Sequence, residues 1–220
     1  MDAVEVKNIT KIIRKRTILD HVSITVKEGE AVGIVGRNGS GKSMLFKTMC
    51  GLIVPTEGSV SVFGQPVGKN GRFAPDTGMM IEAPGFLPQN SGTVNLKMLA
   101  DIRGKVGKKE IAAVLEQVGL DPADKRPVRK YSLGMKQRLG IAQAIMESPR
   151  LLILDEPFNG LDEAGVRDIR ALLQGLVQNG TTLLLASHNA QDIRVLCMRT
   201  CSMESGVLTD VFPEALQEQA

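Results

Sequence analysis

Two short segments hold residue types that could act on a phosphate chain. The first is Gly36-Arg37-Asn38-Gly39-Ser40-Gly41-Lys42-Ser43, which fits GxxxxGK[ST] between an apolar run and a helical stretch. Its glycines let the backbone bend so that successive N–H groups face phosphate oxygens, and the N-terminus of the following helix adds a favourable field. Lys42 is expected to reach the β- and γ-phosphates as a compact charge, and the Ser43 hydroxyl to ligate Mg²⁺. A glycine-rich turn with a solvated lysine is the plainer reading, but it needs neither the strand before nor the helix after.

The second segment is Asp155-Glu156, which closes the all-apolar run at residues 151–154. A carboxylate at the C-terminal edge of a parallel strand sits where open α/β sheets bind ligands. Asp155 is expected to hold Mg²⁺ through its water shell, and Glu156 to polarise an attacking water as general base. An acidic pair at a strand-to-turn junction is common on surfaces, so the chemical reading leans on the phosphate loop beside it.

The elements that must position these groups follow from hydrophobic period. Residues 4–9 and 22–26 are β-branched runs, Glu28-Gly29 turns the chain into Ala31–Val35, and residues 58–63 read as a further strand. Residues 42–51 read as a helix ended by glycine, and residues 64–91 as loop-rich apart from a strand at 78–81. Ile111, Val114, Leu115 and Val118 fall on one helical face with Gly119 as the stop, and residues 132–146 form another helix. Residues 151–154 and 181–186 read as parallel strands covered on both faces, separated by a helix with Val166, Ile169, Leu172, Leu173, Leu176 and Val177 on its stripe. A helix at 190–196 and a hairpin turning at Ser205-Gly206 complete the pattern. One α/β domain over residues 1–220 is expected, with a β-rich start and a helical insertion at about 92–147.

Composition narrows the function classes. A net charge of +3, with Lys and Arg spread along 220 residues, argues against a nucleic-acid partner. No apolar run approaches the roughly 20 residues of a membrane span, and MDAVEVKNIT has no apolar signal core, so a cytoplasmic chain is expected. Cys197 and Cys201 have no third Cys or His near them in sequence, so they and Cys50 read as buried free thiols, not a metal or redox site. His21 carries no assigned role.

A third string narrows the reading to a family. Tyr131-Ser132-Leu133-Gly134-Met135-Lys136-Gln137-Arg138 resembles the ABC signature LSGGQ followed by [KQ]QR, and it ends 17 residues before Asp155. Ser132 and Gly134 are kept while Leu133 and Met135 depart, a form similar to bacterial drug, bacteriocin and lantibiotic export ATPases. Asn159-Gly160-Leu161-Asp162 resembles the family's D-loop, and Ser187-His188 its switch histidine, placed against the γ-phosphate.

The resemblance implies a P-loop, RecA-like core with an N-terminal antiparallel β subdomain and an inserted helical subdomain. It implies a homodimer, or a pair with another ABC subunit, holding ATP and Mg²⁺ between residues 36–43 of one copy and Ser132–Gly134 of the other. Asp162 then lies beside the partner subunit, and a separate integral-membrane permease anchors the pair at the inner face of the cell membrane, with export as the direction. Three places depart from the pattern. Ile13 stands where an aromatic usually stacks on adenine, with Arg14 and Arg16 as substitutes; Met44 stands where a threonine often meets the α-phosphate; and Glu82 replaces a metal-linking glutamine, with Gln89 as the competing assignment. A soluble ABC ATPase, a nucleotide-binding module without turnover and a small-molecule kinase are the rival readings.

Overall fold

The β-branched N-terminal runs extend further than their apolar cores suggest, into β1 (Asp2–Ile13) and β2 (Arg16–Lys27), paired antiparallel. In the computed structural model, which describes residues 1–83 and 85–211, Arg14 and Lys15 join them at φ of 47° and 66°. Two positive φ values in a two-residue turn match the right-handed twist of the flanking strands. With β3 (Ala31–Val35) assigned to the second sheet, β4 (Glu57–Val62) and β5 (Gln65–Val67) finish the first in the order β2-β1-β4-β5.

The second sheet is built from the apolar runs. Its other strands are β6 (Thr77–Met80), β7 (Leu151–Asp155), β8 (Thr182–Ala186), β9 (Arg199–Glu204) and β10 (Val207–Val211), in the order β10-β9-β3-β8-β7-β6. All are parallel except β10, which pairs antiparallel with β9. Period-two alternation divides its side chains between two cores. Leu151, Ile153, Leu184, Ala186, Val32 and Ile34 face the side of the first sheet and α1 (Lys42–Cys50). Leu152, Leu154, Leu183 and Leu185 face the opposite way, against the remaining helices.

Those helices are α2 (Gly92–Arg103), α3 (Lys108–Gln117), α4 (Leu133–Ile145), α5 (Glu163–Gln178) and α6 (Ala190–Leu196). Ser91, Ser132 and Asp162 cap α2, α4 and α5, each accepting the backbone N–H three residues on, at 3.3, 3.1 and 2.9 Å. The sheet and α4 meet backbone to backbone at Gly78, where an added Cβ would lie 1.8 Å from the Ala144 carbonyl oxygen.

The loop-rich reading of residues 64–91 missed β5 and a short 3-10 turn at Lys69–Gly71. The strand expected at 78–81 is displaced by one residue because Thr77 pairs with Leu151 while Ile81 leaves the sheet. Residues 212–220 lie outside the described residues.

Candidate active site

The phosphate loop leaves β3 and enters α1 under tight steric control. Gly36 has no room for a side chain, since an added Cβ would lie 2.3 Å from the Met203 carbonyl oxygen. Gly41, at φ 117°, places the backbone against the Ile18 carbonyl. From the far side, the β9–β10 hairpin supports the loop: Gly206 N–H donates to the Ser40 carbonyl at 2.9 Å. Lys42 is 6% exposed, and its Nζ donates to the Gly36 and Arg37 carbonyls at 2.7 and 3.2 Å. Ser40 Oγ is buried without a hydrogen-bond partner among the described residues.

Asp155 ends β7 beside the start of α1, and Ser43 Oγ donates to its Oδ2 at 2.5 Å. Glu156 follows at φ 51°, held by backbone bonds on both sides. Its N–H donates to the Ala186 carbonyl at 2.9 Å, and its carbonyl accepts from Gln137 Nε2 at 2.9 Å. The carboxylate Oε2 lies 2.7 Å from His188 Nδ1 and accepts the His188 backbone N–H at 3.4 Å. The parallel pairing of β7 and β8 thus brings Glu156 and His188 together across 32 residues of sequence.

These groups border an open cavity of about 500 Å³. Asn38, Gly39, Gly41, Lys42, Ser43 and Met44 line one side, Asp155, Glu156 and Asn159 another, and Ile18, Glu82, Ala83, Leu133 and Gln137 the rest. Arg37 and Ser132 are exposed outside this lining, as is His188, which meets the site through Glu156. Gly134 and Asp162 also lie outside it. Gly134 abuts the Gly160 carbonyl, 2.8 Å from where its Cβ would be, and Asp162 caps α5.

Two expectations need adjusting. Ile13, read as the adenine platform, is 39% exposed at the tip of the β1–β2 hairpin and does not line the cavity. The two-residue turn at 14–15 puts positions 13 and 16 opposite each other at the hairpin end, and Ile18 supplies the apolar wall. Glu82 does line the cavity, but its Oε1 is 2.6 Å from Lys47 Nζ, so the carboxylate is paired with α1 and not with Ser43 or Asp155. Gln89 is exposed in its loop and is not part of the lining. Gln137, Asn159 and Ile18 also line the cavity; the first two stand in the quoted motif strings without an assigned role, and Ile18 stands in none. Gln137 could have been found: it lies one helical turn beyond Leu133, on the same face of α4.

The three cysteines are free, Cys50 and Cys201 buried and Cys197 partly so, and burial pushes each thiol up to about 12.

A family model described as ABC transporter matches residues 19–159, which include both phosphate-site segments and the Ser132–Gly134 string. The chain belongs to the ABC transporter ATPase family. An ABC transporter ATP-binding protein of Bacillus subtilis, YybJ, is 43% identical over 93% of this chain and 94% of that one. The bacitracin transport ATP-binding protein BcrA of Enterococcus faecalis is 41% identical over 94% of this chain and 68% of its own length. The lantibiotic transport ATP-binding protein SrtF of Streptococcus pyogenes is 38% identical over 87% and 82%. A dimeric ATP-binding cassette solved with ADP and Pi shares the fold, at 24% identity and a TM-score of 0.85 over 94% of this chain and 97% of that one. As an ABC ATPase the chain binds and hydrolyses ATP. Among the described residues, no helix is long and apolar enough to cross a membrane.

Proposed function

We propose that two copies of the chain, or one copy and a paired ABC subunit, enclose Mg-ATP between them and drive export through a separate integral-membrane permease. The observation that carries this reading is the convergence on one cavity of a cationic phosphate loop, a hydroxyl–carboxylate pair and a carboxylate oriented by histidine. Among the described residues Ser40 Oγ is a buried hydroxyl with no partner, and Lys42 Nζ rests on two carbonyls, so both gain a charge-assisted bond when a phosphate oxygen arrives. Ser43 Oγ and Asp155 Oδ2 are hard oxygen donors of the kind Mg²⁺ takes beside phosphate oxygens and water, and these two residues would hold it. The ion would neutralise charge developing on the transferred phosphoryl group. Glu82, already paired with Lys47, fits a second role at the edge of that site.

Glu156 then accepts a proton from the water that attacks the γ-phosphate. His188 holds the Glu156 carboxylate by the Nδ1 contact, leaving its other ring nitrogen for the γ-phosphate. Ser132 and Gly134 sit at the exposed N-terminus of α4, where the helix field suits an anion brought by another copy. A head-to-tail pair meets that requirement, with Asp162 and Gly160 beside the same surface. The relatives named for bacitracin and lantibiotic transport support a transport role, and we take export as its direction. A partner chain would supply the membrane path, placing this chain at the cytoplasmic face, and residues 1–220 act as one ATPase domain with about 92–147 as its helical subdomain.

Replacing Glu156 by Gln tests the reading. Turnover should fall by about 10²-fold or more while Lys42 and Ser43 still bind nucleotide. Size-exclusion chromatography with Mg-ATP should then show a dimer that the unaltered chain shows only weakly. Unchanged turnover removes Glu156 from the role of base.

A further inference from the structure

A buried ion pair lies behind the Glu156–His188 contact. Arg170 on α5 donates from Nε at 2.8 Å, and from Nη2, to Oδ1 of Asp192 on α6; Asp192 is 1% exposed. The other oxygen, Oδ2, accepts from Ser187 Oγ at 2.9 Å, and Ser187 Oγ itself accepts the Asn189 N–H at 3.1 Å. Asn189 Oδ1 accepts the Gln191 N–H at 2.8 Å and so caps α6. Both sequence neighbours of His188 are thereby fixed to α6. The Arg170 guanidinium also lies 5.9 Å from the Phe158 ring centroid. Phe158 is buried and follows Glu156 by two residues. One guanidinium therefore reaches both loops that present the Glu156–His188 contact.

Packing alone gives no reason for charges at this place. Well-packed apolar residues of similar volume stabilise a core as well as a buried ion pair does. What the guanidinium fork adds is orientation, because it fixes the plane of the carboxylate it meets. We infer that Arg170, Asp192 and Ser187 are positioning residues for hydrolysis, acting through His188 to hold it against Glu156. The inference rests on the roles proposed above for Glu156 and His188. It explains why His188, though exposed, needs no packing of its own to keep a defined direction.

Ser187→Ala is the smallest test, since it removes one hydroxyl and leaves Arg170–Asp192 paired. Misplacement of a reacting group by about 1 Å can lower a rate by up to 10²-fold, so kcat for ATP should fall about tenfold while KM stays within about twofold. Ser187→Thr keeps the hydroxyl and should recover the rate. A double-mutant cycle supplies the readout a purely structural role would not give. In a His188→Ala background, Ser187→Ala should change kcat no further, because the residue through which it acts is gone. Thermal melting of each variant confirms that folded chains are being compared, and Asp192→Asn should repeat the kcat loss if it remains folded. An unaltered kcat in Ser187→Ala, or losses that multiply in the double variant, overturns the inference. Wild-type turnover in His188→Ala overturns the role given to His188 first and this inference with it, so the two failures have different signatures.

Discussion

Glu156 adopts φ 51°, a backbone conformation that non-glycine residues rarely take. Gln137 and the end of β8 hold it there, one bond to each side of its peptide. Sequence could name Glu156 because its position after an apolar strand is a local pattern, and the same holds for Lys42, Ser43 and Asp155. It could not rank Ile18 above Ile13, since which hairpin position faces the cavity depends on a turn only two residues long. The difference is measurable. Stacking a base on an aromatic is worth about 1–3 kcal/mol, so Ile18→Tyr should tighten ATP by up to about 1 kcal/mol of that, whereas Ile13→Tyr should leave the calorimetric affinity unchanged. The thiols make a separate prediction. Cys50, Cys197 and Cys201 keep their protons up to about 12 when folded, against an ordinary value of 9.0. Below pH 9 their contribution is fully present; above it the unfolded chain loses protons first, so stability falls as pH rises towards 12. Denaturant midpoints between pH 8 and 11 should show a shallower decline in the variant Cys50→Ala, Cys197→Ala, Cys201→Ala.

Elements were legible where one residue pattern decides them. The parallel strands β3, β7 and β8 are short apolar runs, and α3, α4 and α5 carry a clear stripe and a capping or stop residue. β5 was hard to see and β6 was placed one residue late, because each is only three or four residues long and borrows its stability from a neighbour. At β6 that neighbour is α4, which approaches so closely that Gly78 leaves no space for a methyl group. Gly78→Ala should therefore destabilise by about 1–3 kcal/mol through overpacking, read as a lower urea midpoint with an unchanged slope. Because α4 starts at Ser132, the same variant should also weaken ATP-dependent association, as the helix must shift to admit the methyl.

For the whole molecule, the separation of Ser132 and Gly134 from the lining around Lys42 decides what a functional unit can be. A head-to-tail pair has two composite sites, each taking its phosphate loop from one copy and its Ser132 from the other. Lys42→Ala and Ser132→Arg chains are each damaged at both sites, but a mixed pair has one intact site. With random pairing of equal amounts, half the pairs are mixed, and twofold geometry then gives about a quarter of normal ATPase activity. A mixture that stays as inactive as its components removes the head-to-tail arrangement.

The hydrogen bond from Gly206 to Ser40 also has a bearing on how the chain is made. The phosphate loop is complete at Ser43, yet its support from the hairpin comes 163 residues later. At synthesis rates of about 5–20 residues per second, the loop spends about 8–30 s on the ribosome without that support. Over that interval the nascent phosphate loop lacks the hairpin's hydrogen bond to Ser40. The phosphate loop is thus the first part of the site to be made, and the strand pair that props it follows Asp155, Glu156 and His188.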